Sequence, residues 1–523
     1  MKGTVVELTT EEMERLIQRI DTEALRDEDL PTIKAIIKSY VLVTQALQEK
    51  KASIKKLLRM IFGSRTEKAT TVLAEIASSG RTPIDKGGKG IGKKLRGHGR
   101  NGASEYTGAD KITVTHSTMK TGDMCPGCER GKVYPSMKPG VFVRITGGAP
   151  LQSKVWQTEK LRCNLCGEVF TAPLPDEAGT GKYDETAGAM VPLLRYGSGL
   201  PFNRVEQLQE SMGSPLPAST QWEIAERVAD TVYPVYEELT RQAAQGHTIY
   251  NDDTTMKILS LIKNDDSRTG IFTTGMLSVV DDKKIVLFRT GRNHAGENMA
   301  DLLGQRDPQT APPIQMCDAL SRNTTGEFET IVANCLAHAR RNFVDVAGNF
   351  PEECSYVIET LAGVYKNDNT ANEEKMTPLM RLQHHQSHSG PLMKQLREWM
   401  AEQMDGRKVE PNSGLGKAIS YMLKHWEPLT LFLRVEGAPL DNNLCEQALK
   451  RAILHRKNSL FYKTLRGAQV GDIFMSLIHT CKLARANPFD YLVALQKHAR
   501  EVLKTPHGWL PWNYKDTLAA QPA

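Results

Sequence analysis

The chain has 523 residues, enough for several domains, and its hydrophobic fraction of 40% is ordinary for a protein with a buried core. The formal net charge of +6 is too small to indicate nucleic-acid binding by itself, so the distribution of basic residues matters more than their sum. No apolar run approaches the roughly 18 residues needed to span a bilayer, and the N-terminus lacks a signal-peptide pattern. We therefore expect a cytoplasmic protein without a membrane partner.

Residues 1–77 form the first predicted region, which is helical and contains a heptad pattern over residues 33–61. Eight of nine heptad positions are apolar or aromatic, and Lys50 is the exception. This pattern is typical of a short coiled coil that would make the protein a homodimer or a higher oligomer. A helix that packs on its own domain is the alternative.

Residues 78–112 form a linker rich in glycine and in basic side chains, which include Lys93, Lys94, Arg96 and Arg100. The glycines disfavour a stable helix, so we predict a mobile arm. Such an arm can bind DNA phosphates independently of sequence by releasing counterions. A solvated linker without a ligand is the competing interpretation.

Residues 113–180 are predicted to form a zinc-binding ribbon. The pairs Cys125-Pro-Gly-Cys128 and Cys163-Asn-Leu-Cys166 supply four thiolates, the number that tetrahedral Zn²⁺ needs. Between the two pairs, residues 140–146 and 154–157 show an alternation of side chains that is typical of strands. The odd total of nine cysteines argues against a disulfide framework. Because four thiolates leave no open coordination position, we expect the zinc to be structural.

Residues 181–245 are predicted to be helical, with helices over 202–212 and 219–239 on either side of a turn. The spacing fits a helix-turn-helix that would bind DNA, and a pair of helices with a purely packing role fits equally well.

Residues 246–475 are predicted to form an α/β domain. Its predicted strands cover 248–256, 270–280, 284–289, 313–317 and 331–336, although the last also fits a helix start. Helices are predicted over 296–304, over 337–346 and from near Asp441. A helical insertion is expected over about 346–436, and a C-terminal helical segment over 476–523. The whole chain is thus predicted to be a multidomain α+β protein.

Three carboxylates stand at informative positions in this domain. Asp252 lies in the first strand, Asp318 follows the fourth, and Glu446 lies on the late helix. This order describes the ribonuclease-H-like fold, in which the first and fourth strands are neighbours and the three acids hold a pair of Mg²⁺ ions for phosphoryl transfer. Asp253 would point to the opposite face unless a bulge exchanges it with Asp252.

The sequence resembles the large transposase of insertion-sequence 66-type bacterial elements over nearly its whole length. Besides the two cysteine pairs, the landmarks in chain order are Ile61-Phe-Gly-Ser-Arg-Thr-Glu-Lys68, Gly97-His-Gly-Arg100, Tyr196-Gly-Ser-Gly-Leu-Pro201, Asp252-Asp-Thr254, Ala337-His-Ala-Arg-Arg-Asn-Phe343, Leu440-Asp-Asn-Asn-Leu-Cys-Glu446, Arg456-Lys-Asn458 and Ser476-Leu-Ile-His-Thr480. Two departures are notable: Tyr250-Asn251 precedes Asp252 where the family usually has His-Ala, and Glu129 replaces the usual glycine after the first cysteine pair.

The resemblance implies a DDE transposase that binds the terminal repeats of its element and joins them to target DNA. Asp252, Asp318 and Glu446 match the DDE acids, with Mg²⁺ or Mn²⁺ as the catalytic cofactor, and small accessory proteins are potential partners. A transposase-derived DNA-binding regulator without catalysis and a ribonuclease-H-like endonuclease without strand transfer are the alternatives.

Five further basic residues are predicted to contact double-stranded DNA: His338, Arg341, Lys450, Arg456 and Lys457. Arg341 fits a salt bridge with Asp345 equally well. Lys450 and Arg456 could instead compensate the charge of the acids.

Overall fold

The computed structural model describes residues 118–134, 147–162, 169–262 and 270–520, with isolated positions at 19, 29, 31, 33, 113, 145, 164 and 166. The predicted basic arm, including Lys93, Lys94, Arg96 and Arg100, and the predicted coiled coil beyond position 33 lie outside the described residues. The chain divides into two compact units, Met1–Thr82 with Val344–Ala362 and Pro83–Phe343 with Gly363–Ala523. Among the described residues, no helix has both the length and the apolar character needed to cross a membrane.

The first cysteine pair lies in a turn between two antiparallel segments. Strands β1 (Lys160–Arg162) and β2 (Val169–Thr171) pair on either side of the second cysteine pair. An isolated antiparallel bridge joins Met124 to Lys132 around the first pair. Residues 154–157 have no regular secondary structure, in contrast to the predicted alternation, and the strand begins only at Lys160.

Between residues 185 and 244, three helices lead into the main sheet: α1 (Glu185–Pro192), α2 (Phe202–Ser211) and α3 (Ala218–Ala244), with a π-helical turn at Leu193–Gly197. The apolar side chains of α3 recur at helical spacing and are buried, among them Val228, Val232 and Val235. The Tyr236 hydroxyl donates to the carbonyl of Phe288 (3.3 Å) in the sheet. The second helix of the predicted helix-turn-helix therefore packs against the sheet.

The main sheet has five strands: β3 (Thr248–Thr255), β4 (Phe272–Val280), β5 (Lys283–Gly291), β6 (Ile314–Cys317) and β7 (Ile331–Asn334). Their order across the sheet is β5-β4-β3-β6-β7. Pairing is antiparallel from β5 to β3 and parallel from β3 to β7. Within this sheet, β3 is the first strand in chain order; it is therefore central and neighbours the fourth, β6.

Short helices connect these strands and a long helical segment follows them. They are α4 (Leu259–Ile262), α5 (Ala295–Leu303), α6 (Leu336–Val346), α7 (Pro351–Glu373), α8 (Pro378–His388), α9 (Gly390–Asp405), α10 (Gly414–Lys424) and α11 (Trp426–Leu429). Single 3₁₀ turns occur at Asp176–Ala178, Ser321–Asn323, Leu431–Leu433 and Pro506–Trp509. Helices thus occupy most of the range, about 346–436, in which a helical insertion is predicted.

The last helices are α12 (Asn443–Ser459), α13 (Leu465–Leu483), α14 (Pro488–Lys497), α15 (Ala499–Lys504) and α16 (Tyr514–Ala520). Helix α12 packs on β3 and β4. Helix α13 is continuous across residues 475 and 476, so the boundary predicted between these residues lies within a helix.

Candidate functional site

The parallel pairing of β3 with β6 brings Asp252 and Asp318 to the same edge of the sheet. Tyr250 pairs with Met316, and each of these residues precedes an acid by two positions. Side chains alternate along a strand, so a two-residue extension of this register puts both acids on one face. Adjacent strands lie only about 4.8 Å apart. The two predicted acids are therefore neighbours.

The first turn of α12 lies over β3 and carries Glu446 to the same region. The side-chain amide of Asn442 donates to the carbonyl of Asn251 (3.1 Å), and the Cys445 thiol donates to the carbonyl of Gly275 (3.2 Å), the cross-strand partner of Asp252. The helix approaches closely because residue 275 is glycine: a Cβ atom there would lie 2.9 Å from Leu449 Cγ.

The electrostatics of Asp252 reflect this convergence of acids. Burial raises the pKa of Asp252 to about 7, and the charges of Asp318, Asp253 and Glu446 raise it as well. One hydrogen bond acts in the opposite direction, from the backbone N–H of Asp253 to Asp252 Oδ1 (2.8 Å). A cation bound beside this carboxyl group would offset the cost of keeping its negative charge buried.

Asp253 points to the opposite face of β3, where it meets two basic side chains. Arg322 Nη2 lies 3.3 Å from Asp253 Oδ1, and His294 Nδ1 lies 3.5 Å from Asp253 Oδ2. The strand pleats regularly at this point, so Asp252 is the acid of the pair that shares a face with Met316. This geometry favours Asp252 over Asp253 as the metal ligand.

Two potential metal ligands lie near Glu446: His338 on α6 and Cys335, which directly precedes that helix. His338 Nε2 lies 3.6 Å from Glu446 Oε1, and the potential ligand atoms of Cys335, His338 and Glu446 all lie within 4.8 Å of one another. Glu446 Oε1 is buried and has no hydrogen-bond partner among the described residues. His338, a predicted DNA contact, thus lies beside a predicted catalytic acid, and Arg341 is half-buried on the same helix.

The predicted DNA contacts on α12 have different surroundings. Lys450 and Lys457 are exposed. Arg456 instead donates to the hydroxyls of Thr254 (3.1 Å) and Thr255 (2.6 Å) and to the Thr255 carbonyl. Its guanidinium group therefore joins α12 to the end of β3.

The first cysteine pair forms a tight turn. The backbone N–H of Cys125 donates to Gly131 O (2.7 Å) and that of Glu129 to Cys125 O (2.8 Å). Hydrogen bonds from the backbone of Arg130 and Gly131 lower the pKa of the Cys128 thiol. Glu129 has φ of 52°, a left-handed conformation that glycine adopts without strain, which explains the glycine of the family pattern. Cys166 is exposed, and Cys163 lies outside the described residues.

Two groups of residues near the site were not assigned a role from sequence. The Tyr196–Pro201 motif holds the C-terminal half of α12: Asn458 Nδ2 donates to Gly199 O (3.0 Å), and the rings of Tyr196 and His455 stack at 5.9 Å. Asn251, Gln315 and Asn323 are buried amides behind the acids. Isolated amides carry no sequence pattern, whereas the glycine-rich motif was visible as a family landmark.

Comparison with known proteins finds relatives over most of the chain. An uncharacterized protein of Sinorhizobium fredii, y4jD, is 27% identical over 380 residues, which cover 69% of this chain and 72% of the relative. A second uncharacterized protein of the same organism, y4hP, is 25% identical over 394 residues, which cover 71% of this chain and 70% of the relative. Residues 180–470 match the sequence profile described as the Transposase IS66 family. This match covers more than half of the 523 residues and includes all three acids, so the chain belongs to the Transposase IS66 family.

Proposed function

We propose that the protein is a DDE-type DNA transposase that binds the ends of a mobile element and catalyses Mg²⁺-dependent strand cleavage and strand transfer. The observation that carries this proposal is the convergence of Asp252, Asp318 and Glu446 from β3, the end of β6 and the first turns of α12. The strand order β5-β4-β3-β6-β7 supports a ribonuclease-H-like catalytic domain. Membership of a transposase family supports DNA as the substrate.

The donor set fits a hard divalent cation. Asp252 is a desolvated carboxyl group beside other carboxylates, and Glu446 Oε1 is a buried oxygen without a hydrogen-bond partner. Asp252, Asp318 and Glu446 would hold Mg²⁺ or Mn²⁺ through oxygen atoms, the ligands that these cations prefer. When bound, the ions supply Lewis-acid stabilisation of the attacking and leaving oxygens of a phosphodiester.

The protein's own groups position the DNA for two successive exchanges. In the first, a water oxygen attacks a phosphodiester at the element end, and the broken P–O bond releases a 3′-OH. In the second, that 3′-OH attacks a phosphodiester of target DNA, so one P–O bond forms as another breaks. Lys450 and Lys457 bind neighbouring phosphates. The imidazole of His338, whose Nε2 lies 3.6 Å from Glu446 Oε1, lies beside that acid.

The N-terminal third would supply DNA-end recognition and assembly. Cys125, Cys128, Cys163 and Cys166 would hold a structural Zn²⁺, and Lys93, Lys94, Arg96 and Arg100 would bind phosphates along the DNA. A coiled coil over residues 33–61 would pair two protomers on paired DNA ends in the cytoplasm.

The test is a cleavage and strand-transfer assay with Mg²⁺ and a DNA end that carries the terminal repeat. Glu446→Gln should retain DNA binding and thermal stability but lose cleavage by about 10³-fold, which corresponds to about 4 kcal/mol of transition-state stabilisation. Glu501→Gln, at an exposed glutamate on α15, is the matched control and should cleave like the wild type.

The outcomes separate the rival functions. Cleavage by Glu446→Gln at the wild-type rate would remove Glu446 from the mechanism. Binding of the terminal repeat by the wild type without any cleavage would identify a DNA-binding regulator, and cleavage without joining would identify an endonuclease.

A further inference from the structure

Four amide side chains form a buried network behind the three acids. They are Asn251, Gln315, Asn323 and Asn442, and all four are fully buried. Buried amides are expensive to desolvate, so each of their hydrogen bonds contributes to a defined geometry. Each acid-bearing segment of the proposed site contains or contacts a member of this network.

Asn323 is the member that touches an acid directly. Its Nδ2 donates to Asp318 Oδ1. It belongs to the 3₁₀ turn Ser321–Asn323, whose other two residues are exposed. Asn323 is therefore the only buried residue of that turn, and its side chain points back towards Asp318.

Two further amides hold Asn323 from the opposite side. The backbone carbonyl oxygen of Asn323 accepts hydrogen bonds from Asn251 Nδ2 (2.8 Å) and from Gln315 Nε2 (2.7 Å). Gln315 Nε2 also donates to Asn251 Oδ1 (3.0 Å), and its own Oε1 accepts from the Thr330 hydroxyl (3.0 Å). Because β3 and β6 supply these donors, the position of Asn323 is fixed to the sheet itself.

The network also reaches the helix that carries Glu446. Asn442 Nδ2 donates to the backbone carbonyl of Asn251 (3.1 Å). The backbone carbonyl of Asn442 accepts from the backbone N–H of Glu446 (3.1 Å). Asn251 thus contacts Asn323 through its side chain and Asn442 through its backbone, while it directly precedes Asp252 in the chain.

We propose that Asn323 is a positioning residue for Asp318 and that Asn251 and Gln315 keep Asn323 in place. This inference rests on the proposed function of the three acids. The hydrogen bond from Asn323 Nδ2 fixes the rotation of the Asp318 carboxylate. Outer partners of metal-binding carboxylates act in this way, and their loss typically costs about 10–100-fold in metal affinity or activity.

The experiment measures Mn²⁺ binding by calorimetry and the Mg²⁺ dependence of cleavage on the full-length protein. Asn323→Ala should raise the metal concentration for half-saturation by about 10–100-fold, while the cleavage rate at saturating metal falls less. Asn251→Ala and Gln315→Ala should each have a smaller effect, since either variant leaves one donor on the Asn323 carbonyl. The double variant Asn251→Ala/Gln315→Ala should raise the metal concentration for half-saturation nearly as much as Asn323→Ala does.

Two variants separate positioning from general stability. Gln221→Ala removes a buried amide of α3 that donates to Phe202 O (3.1 Å) and Leu216 O (2.9 Å), so it should lower stability without changing Mn²⁺ affinity. Asn323→Leu keeps roughly the size of the side chain but removes the donor without adding a charge. It should weaken Mn²⁺ binding at least as much as Asn323→Ala, and it tests the proposal if the alanine variant does not fold.

Asp318→Asn gives the baseline for loss of an acid. If both Asn323 variants bind Mn²⁺ like the wild type while Asp318→Asn does not, the positioning role is overturned. A wild type that binds Mn²⁺ but never cleaves DNA contradicts the proposed function and leaves the positioning role supported by the binding data. If Asp318→Asn binds Mn²⁺ with the same affinity as the wild type, both proposals are overturned.

Discussion

Six lysine and arginine side chains follow Glu446 between residues 447 and 471, and the structure separates them into two groups. Three are engaged in contacts within the protein: Arg451 with His479, Arg456 with Thr254 and Thr255, and Arg466 with Glu226 and Asp230. Three are exposed lysines: Lys450, Lys457 and Lys463. Charge counting from sequence therefore overestimates the cations available to DNA at this surface, because arginine also serves as an internal hydrogen-bond donor.

We predict that Lys450→Ala and Lys457→Ala each weaken DNA binding and reduce the slope of log affinity against log salt concentration by about 1, since each removes one phosphate contact. The measurement is a salt titration of binding to duplex DNA. Lys504→Ala, at an exposed lysine on α15, is the matched control and should leave the slope unchanged. Equal slopes for all three variants would contradict a DNA-facing surface on α12.

A second residue-scale prediction concerns Asp472, a buried carboxyl group on α13. It accepts hydrogen bonds from the backbone N–H and the hydroxyl of Thr290, both at 2.6 Å. Burial nevertheless raises the pKa of Asp472 to about 7. In the unfolded chain an aspartate has a pKa of about 3.9. Between these two values the folded protein keeps a proton that the unfolded chain has lost, so stability falls as pH rises.

Asp472→Asn cannot titrate and should remove this pH dependence. In the wild type, the free energy of unfolding should fall between about pH 4 and about pH 8. In the variant this fall should be smaller by about 2–4 kcal/mol. Urea unfolding across this range measures the difference. Asp252 has a raised pKa too, so the variant should keep a residual slope. An unchanged slope in the variant would contradict the shifted pKa of Asp472.

At the element scale, α13 protects the edge strand of the sheet. Asp472, Ser476 and Thr480 recur every fourth residue on α13 and accept hydrogen bonds from the backbone N–H groups of Thr290 (2.6 Å), Phe288 (2.9 Å) and Val286 (3.1 Å), respectively. These are alternate residues of β5, the outermost strand on that side. Helix side chains thus take the place of a further strand and block pairing with another chain.

Ser476→Ala should leave the backbone N–H of Phe288 buried without an acceptor, which costs about 1–3 kcal/mol. The measurement is the free energy of unfolding by urea. Ser211→Ala, at an exposed serine near the end of α2, is the matched control and should change stability by less than about 0.5 kcal/mol. A variant at residue 476 that matches the control would show that water replaces the lost hydroxyl.

The strands and most helices were predictable because their apolar residues alternate or recur every three to four positions. Helix α13 illustrates where prediction fails. Its polar positions at 472, 476 and 480 look the same in the sequence whether they face water or a strand edge, so the segment was divided between two regions. Asn442 occupies the N-cap position of α12, yet its side chain contacts β3 and not the helix, since the choice between a local and a distant hydrogen bond depends on the fold.

At the scale of the whole molecule, three distant parts of the chain must meet to form the proposed site. The acids of β3 and β6 could be paired from sequence because strand order determines their neighbours. The path of the helical insertion could not. Arg381 on α8 donates to the carbonyl of Ala438 (2.8 Å), just before α12, and pairs with Asp368 (2.7 Å). Such contacts return the chain to the sheet, and no local pattern encodes them.

The convergence of acids has a cost for the whole protein that a metal should relieve. Ionised Asp252 is desolvated and repelled by its neighbours, so the metal-free protein loses stability as Asp252 deprotonates through its pKa of about 7. We predict that Asp252→Asn unfolds at a higher temperature than the wild type at about pH 8 without metal, because the amide removes one buried charge.

Added Mg²⁺ should reverse that ranking. A ligand that binds only the folded state stabilises it by about 2.7 kcal/mol at a concentration 100-fold above its Kd, so the wild-type unfolding temperature should rise by several degrees. Asp252→Asn has lost a ligand oxygen and should respond weakly. Asp253→Asn, which alters the acid on the opposite face, should retain the wild-type response to Mg²⁺. Calorimetric scans with Mg²⁺ and with a chelator measure both effects, and a Mg²⁺ response that depends on Asp253 rather than Asp252 would reassign the ligand to the other face of β3.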